Sequence, residues 1–204
     1  MLTLVIAEAE LELVPASLCT HPVMVKSARK RGKRAESMLL DSNYHHVPMR
    51  VLEDAHRRGR PDIVHTVLLC ALESVLNRQR GLNLYIHTRN DEVIHVDPKT
   101  KIPRSYNRFC GLIEQLLETG SVRDFLCVEK KSLLTFLKGV PGEKVVMHRK
   151  GVPLAMKKDM TCVVGGFPHG DFSTDVVGER MKICDEPLPA WTVVNELVVR
   201  YELL

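Results

Sequence analysis

Three stretches of this sequence carry residue types that could do chemistry. The first is Arg57-Arg58-Gly59-Arg60-Pro61-Asp62, three guanidiniums closing on a carboxylate just ahead of an apolar run with helical period. An aspartate there has two uses. It can cap a helix start, satisfying free backbone N–H groups and the helix dipole. It can also hold the Arg60 guanidinium in one orientation, as a fork ready to grip phosphate or a base edge. The uses are compatible, because a capping carboxylate keeps a free oxygen.

The second stretch is Lys99-Thr-Lys101-Ile-Pro-Arg104-Ser-Tyr106-Asn-Arg108-Phe109, which sets four cations and two aromatics within eleven residues. Arg104 and Arg108 would share one face of a helix beginning near Arg104. A solvated basic helix start accounts for the charges, while the interleaved aromatics suit stacking on RNA bases. Phe109 is read as core, because Leu112, Ile113 and Leu116 continue its stripe. The third stretch is the glycine loop Gly165 to Gly170 after an apolar strand. It is either a tight turn or a place where a ligand approaches the backbone at the carboxyl edge of a sheet. Neither G-x-x-x-x-G-K-[ST] nor G-x-G-x-x-G occurs, which speaks against a nucleoside-triphosphate loop or a dinucleotide fold.

The elements that must position these groups follow from periodicity. Leu2–Ala7 reads as a strand, and Pro15 and Pro22 bracket a loop into a helix ending in the basic segment 26–34. Asp62–Leu76 has the spacing of a packed helix, with Ile63, Val67, Leu68, Ala71, Leu72 and Val75 recurring at three, four and seven. Leu82–Thr88 and Glu92–Val96 read as strands joined by a turn at Arg89-Asn90-Asp91. Tyr106–Leu117 and Ser132–Leu137 read as helices. Val145–Met147, Met160–Val164 and Met181–Cys184 read as strands, and Trp191–Leu204 as an amphipathic helix with Val194, Leu197, Val198 and Tyr201 on one side. Strands alternating with helices predict an α/β fold with a mostly parallel sheet flanked by helices. We expect one domain over 1–204, with an inserted or extended segment accommodated in its N-terminal half.

Composition narrows the function classes. The chain has 204 residues, 45% hydrophobic and 26% charged, which are ordinary globular values and exclude a disordered or fibrous chain. Net charge is +4, compatible with a nucleic-acid partner. Basic residues gather at 26–34, 57–60 and 99–108, while the last twenty residues are richer in acid, so a basic face beside a nearly neutral end is expected. The N-terminus lacks a basic n-region and carries Glu8 and Glu10, and reads as a strand rather than a secretory signal. The apolar stretch Ile63–Leu76 is too short for a bilayer and is interrupted by His65 and Glu73. The six cysteines form no C-x-x-C pair, so free thiols in a reducing cytoplasm are expected. No histidine spacing suits a metal, the adjacent His45 and His46 included, and none is expected.

In order along the chain, LVIAEAELELVP, LLDSNYHH at 39–46, RGRPDIVH at 58–65, YIHT at 85–88, IPRSYNRFCGL at 102–112, VGGFPHGDF at 164–172 and EPLPAWTV at 186–193 resemble one family. It is the ribosome-biogenesis pseudouridine N1-methyltransferases of the SPOUT, or trefoil-knot, class, in a short archaeal-type form. RPDIVH together with IPR-x-x-x-RF is its specific part. The resemblance implies a homodimer with a C-terminal trefoil knot. It implies methyl transfer from S-adenosyl-L-methionine to N1 of a pseudouridine in small-subunit rRNA, in the cytoplasm, with other ribosome assembly factors as partners. Carried over residue by residue, it makes Arg60 the substrate-RNA arginine and Asp62 the carboxylate that steadies it, and the chemistry of an imide-like nitrogen nucleophile adds the expectation that Asp62 or a water it holds takes the departing proton. These two form the catalytic pair, and Lys101, Arg104 and Arg108 are further RNA-binding positions. The methyl-donor pocket would be built from Met147, Gly165, Gly170, Ile183, Cys184, Asp185, Glu186, Pro187 and Leu188. Lys101 keeps the charge of the family position without the planar fork, and Pro189 stands where a small serine is usual.

Two other readings share some of these features. A non-catalytic RNA-binding assembly factor would use the same basic face with the pocket as scaffold. A small-molecule α/β enzyme would leave both basic segments without a task. A dimer is also expected from the apolar stripe of the last helix, which exceeds what one sheet face needs.

Overall fold

The computed structural model describes residues 1–204. The chain opens with β1 (Leu2–Ala9), eight residues that are all buried. A strand buried on both faces belongs at the centre of a sheet covered on both sides. Next come α1 (Pro22–Arg31), α2 (Ser42–Met49), α3 (Pro61–Leu72) and the single turn α4 (Val75–Arg78). The hairpin β2 (Leu82–Thr88) and β3 (Glu92–Val96) is followed by α5 (Tyr106–Thr119), β4 (Ser121–Val122) and β5 (Leu126–Lys130). The last third contains α6 (Leu133–Gly139), β6 (Glu143–Pro153), β7 (Met160–Gly165), β8 (Glu179–Lys182) and α7 (Ala190–Glu202).

One eight-stranded sheet runs in the order β4-β5-β3-β2-β1-β7-β6-β8. Strands β2, β1, β7, β6 and β8 pair in parallel, whereas β3, β5 and β4 extend the sheet in antiparallel fashion. The sheet is therefore mixed. Its parallel half matches the expected α/β pattern, and its antiparallel wing is larger than the single hairpin read from the sequence.

Two cores follow from strand alternation. Leu4, Ile6, Val145, Cys162 and Val164 face α3, α5 and α7 in the main cluster. Val5, Ala7, Val146 and Val163 face α6 and the β7–β8 connection, through Leu133, Phe136 and Val176. A third cluster gathers α1, α2 and their loops around Met24, Met38, Leu40 and Met49. The chain changes face after β8, because the connection before it covers the second core and α7 after it covers the first.

Several expectations are corrected. The Asp62–Leu76 helix is two pieces, α3 ending at Leu72 and α4 restarting behind the Ser74 cap. The strand expected at Met181–Cys184 lies earlier, leaving Ile183 and Cys184 in the turn beyond β8. α2 and β5 have no counterpart in the sequence reading. α2 contains Pro48 and two histidines instead of an apolar stripe, and it starts because the Asp41 carboxylate caps the Asn43 N–H at 2.9 Å. The apolar stripe of α7 is covered within the chain: Val194, Leu197 and Val198 are buried in the main core, with Tyr201 against it. It is therefore no longer an argument for a second copy.

Candidate active site

A cavity of about 770 Å³ opens where the parallel strands end. That is the edge at which α/β folds bind ligands, and the volume suits a small-molecule cofactor. Its floor is the end of β7, Val164 and Gly165, with Met147 of β6 beside it. The loop 167–172 forms one wall, and the chain from Lys182 through Trp191 forms the opposite one. Of the predicted pocket residues, Met147, Gly165, Gly170, Ile183, Cys184, Glu186, Pro187 and Leu188 all line this cavity. Asp185 does not: it is exposed and pairs with Lys182 at 2.5 Å. Pro189 lines the cavity as well, without an N–H to offer, and its carbonyl is taken by the Thr192 and Val193 N–H groups at the start of α7.

Arg60 stands on the rim of the same cavity, next to Ile63. Its backbone N–H donates to the Glu10 carbonyl at 3.0 Å. Its Nε and a terminal nitrogen donate to the two oxygens of Asp62 at 2.8 and 2.7 Å, a fork on a fork. This bonding keeps the Arg60 guanidinium firmly charged, its pKa raised by the hydrogen bonds to Asp62. The capping reading of Asp62 is corrected. Arg60 itself is the N-cap position of α3 and Pro61 its first residue, and the Asp62 side chain caps no backbone N–H.

The glycine loop is a ligand wall rather than only a turn. A Cβ on Gly166 would come within 2.7 Å of Ala9 Cα, so only glycine lets the loop lie on the end of β1. A Cβ on Gly165 would strike the Phe167 ring, which turns back over the strand end. The far side of the loop is held by three groups that the sequence reading did not assign. Glu8 is buried and sits at φ 51°, a left-handed conformation rare for a glutamate. Its carboxylate accepts the backbone N–H groups of Ser173 and Thr174 at 2.8 and 2.7 Å. Arg57 donates to the Asp171 carbonyl at 2.9 Å. His148 of β6 donates from Nε2 to the Asp171 carboxylate at 2.8 Å, its Nδ1 being occupied by the Lys150 N–H. That bond holds the Asp171 carboxyl below its usual range.

Glu8 and Arg57 belong to a buried ion network of alternating carboxylates. Glu10 accepts from Arg57 at 3.2 Å and from Arg89 at 2.6 Å, and Glu12 takes a bidentate Arg58 at 2.7 Å on each oxygen. The basic segment 26–34 is partly internal too. Arg31 and Lys33 converge on Glu114, whose side chain is wholly buried, at 2.7 and 2.6 Å. Charges of both signs line the cavity and balance, Arg149 and Lys182 against Asp171 and Glu186, with Arg60 paired to Asp62 at the rim.

Lys101, Arg104 and Arg108 are exposed and none lines the cavity. Arg104 precedes α5, which begins at Tyr106 after the Ser105 cap position, so it shares no helical face with Arg108. It pairs with exposed Glu73 at 3.2 Å. Tyr106 is half-buried and its hydroxyl donates to Asp41 at 2.6 Å, so it is committed inside the fold rather than free to stack on a base. Phe109 is core, stacked on His65 with 4.4 Å between ring centroids. His65 also reaches the Pro103 carbonyl at 2.8 Å, so the helix bearing Asp62 seats the loop bearing Lys101 and Arg104. No group of histidine, cysteine and carboxylate side chains is placed to hold a metal.

Comparison with known proteins adds an independent line. Residues 4–202 match the model of the EMG1/NEP1 methyltransferase family. The chain is 50% identical to the ribosomal RNA small subunit methyltransferase Nep1 of Pyrococcus furiosus, over 98% of this chain and 96% of that protein. It is 49% identical to the protein of the same name from Thermococcus kodakarensis, over 99% and 98%. Among solved structures it resembles the crystal structure of Archaeoglobus fulgidus Nep1 bound to S-adenosylhomocysteine. The TM-score is 0.92 at 34% identity, over 98% of this chain and 97% of that one.

Proposed function

This chain belongs to the EMG1/NEP1 methyltransferase family and is an S-adenosylmethionine-dependent methyltransferase of small-subunit ribosomal RNA; from that premise we propose that it methylates N1 of a pseudouridine, with the cavity at the strand ends as donor pocket and Arg60 as the substrate-facing group. The observation that carries this reading is the single cavity that Arg60 shares with Met147, the glycine loop and residues 182–191.

The residues present fit the donor. Apolar Met147, Ile183 and Leu188 offer an adenine slot, glycine backbone offers close approach, and Asp171 and Glu186 offer negative charge for a cationic ligand. S-adenosylmethionine supplies a methyl group already activated by its sulfonium, so the chain's task is alignment. Met147, Gly165 and Gly170 shape one side of the pocket, and Ile183, Cys184, Glu186, Pro187 and Leu188 the other. Arg60 grips the target nucleotide at the rim, and Lys101, Arg104 and Arg108 hold the flanking phosphates. Both Asp62 oxygens are engaged by Arg60, so Asp62 is assigned to steadying that arginine. The target base sits in a loop or flips out of its stack, as chemistry on a base edge requires.

The same reading includes a homodimer with a C-terminal trefoil knot, one catalytic unit over 1–204, and action in the cytoplasm. No helix is long and apolar enough to cross a membrane. The deciding experiment incubates the protein with methyl-labelled S-adenosylmethionine and an rRNA hairpin carrying pseudouridine or uridine at one position, then locates the methyl by mass spectrometry. Label at N1 of the pseudouridine and none on the uridine hairpin is expected. Methylation of both hairpins, or at another atom, overturns the N1 assignment.

A further inference from the structure

Arg57 and Arg58 are neighbours, comparably buried, and both tied to glutamates of the stretch 8–12 at the end of β1 and just beyond it, yet they do different things. Arg58 places Nε and one terminal nitrogen on Glu12, and its other terminal nitrogen reaches only the Glu53 carbonyl at 3.5 Å, five residues back in its own segment. Arg57 divides its nitrogens: Nε donates to Glu10 at 3.2 Å, one terminal nitrogen to Glu8 at 3.3 Å, and the other to the Asp171 carbonyl at 2.9 Å. Its guanidinium also lies over the Phe167 ring, 4.2 Å from the centroid. One side chain thus joins the end of β1, the segment that carries Arg60, and two points of the loop that walls the cavity. Arg60 is tied to the same anchor, since the Glu10 carbonyl accepts its N–H.

We propose that Arg57 is a positioning residue for methyl transfer: it fixes the pocket loop 167–173 on the Glu8–Glu10 anchor and so sets the donor pocket relative to Arg60. This rests on reading the cavity as the donor pocket. Only a planar, multiply donating cation can meet three acceptors on different elements and lie on an aromatic face at once. A lysine at 57 would keep the charge against Glu8 and Glu10 and release the loop. The strained Glu8 fits the same device, because its left-handed backbone aims the carboxylate at the Ser173 and Thr174 N–H groups.

The test compares Arg57→Lys with Arg58→Lys, the same substitution one residue away in a comparably buried ion pair. S-adenosylhomocysteine binding is followed by calorimetry, and KM and kcat are measured with saturating RNA. Arg57→Lys is expected to raise the dissociation constant, and the KM for S-adenosylmethionine, about tenfold, with kcat changed less than about threefold. Arg58→Lys is expected to stay within about twofold of the parent on both, even where its melting temperature drops as far. Equal effects of the two variants on binding would reduce Arg57 to a structural ion pair and overturn the proposal. Should Arg57→Lys not fold, Glu8→Gln carries the same expectation and the same overturning result. Trp191, the only tryptophan, lines the cavity and reports separately on the underlying reading. Unchanged Trp191 fluorescence in the parent protein at saturating S-adenosylhomocysteine means that the donor binds elsewhere, whatever the arginine variants do.

Discussion

Segments 57–60 and 101–108 look alike in sequence, each a cluster of cations beside a helix start, and the fold treats them in opposite ways. All three arginines of the first are matched by carboxylates before any ligand arrives: Arg57 by Glu8 and Glu10, Arg58 by Glu12, Arg60 by Asp62. In the second, Lys101 and Arg108 are exposed without an ion pair, and Arg104 has only a loose, exposed one with Glu73. A paired, half-buried guanidinium is already oriented, so it loses little freedom on gripping a substrate and can hold one geometry. An exposed unpaired cation attracts phosphate from many directions and specifies little. The first segment therefore positions, Arg60 directly and Arg57 through the pocket loop, with Arg58 confined to its ion pair, and the second attracts.

The largest expected effect tests the positioning half. Arg60→Ala should lower kcat/KM for the RNA by about 100-fold, the scale of a misplaced substrate, with the dissociation constant for S-adenosylhomocysteine within about threefold of the parent. A variant that merely binds RNA more weakly in a salt-dependent way would place Arg60 with Lys101 and erase the contrast. Asp62→Asn is next. It keeps the shape and removes one acceptor and the charge, so RNA affinity should fall about tenfold while single-turnover transfer at saturating RNA stays within about threefold. A general base contributes roughly 100-fold or more. A loss of that size at saturating RNA, with binding intact, would make Asp62 the proton acceptor instead.

How far this contrast could be read from sequence depends on where the partners lie. The Arg60–Asp62 pair is visible because its members are two residues apart, and the glycine loop because a buried strand runs straight into it. Phe109 declared itself core by its stripe. The arginine network was hidden, since Glu8 and Arg57 are 49 positions apart and only the sheet brings them together. One signal was present: Glu8, Glu10 and Glu12 alternate at the end of a largely apolar strand and beyond it, a pattern a solvated turn has no reason to keep. Glu114 was similar, a lone acid among the apolar positions of α5 whose cations lie 81 and 83 residues back. α2 and β5 were missed for a different reason. Their burial comes from neighbouring elements and leaves no period in their own residues.

The attracting half is sharpened by salt. Removing a cation that neutralises one phosphate of single-stranded RNA should flatten the slope of log affinity against log salt by about 0.7. The double variant Lys101→Ala/Arg108→Ala should therefore flatten it by about 1.4, with the single-turnover rate at saturating RNA unchanged. Arg104→Ala should act more weakly, because Glu73 already screens that charge. An unaltered slope in the double variant would remove this segment from the RNA face.

The smallest effect concerns how the two segments are seated. Ion pairs hold 57–60, but 101–108 rests partly on hydrogen bonds from uncharged donors, the Tyr106 hydroxyl to Asp41 and the Asp41 N–H to His45 Nδ1 at 3.1 Å. With Nδ1 accepting, His45 Nε2 donates to Ser27 Oγ at 3.3 Å, an arrangement that only the neutral ring allows. Burial pushes the His45 pKa down, against a raising influence from Asp41 and Glu114 and a lowering one from Arg31. The unfolded histidine, with a pKa near roughly 6.5, binds a proton sooner than the folded one. Stability should then rise with pH through that value and be lost as pH falls from about 6.5 toward the depressed folded one. His87, also pushed down by burial, adds the same sign. His45→Gln should thus be less stable at pH 7.5 and lose stability less steeply on acidification, its curve flattened rather than flat. Parallel stability–pH curves for parent and variant would show that His45 is not the titrating group.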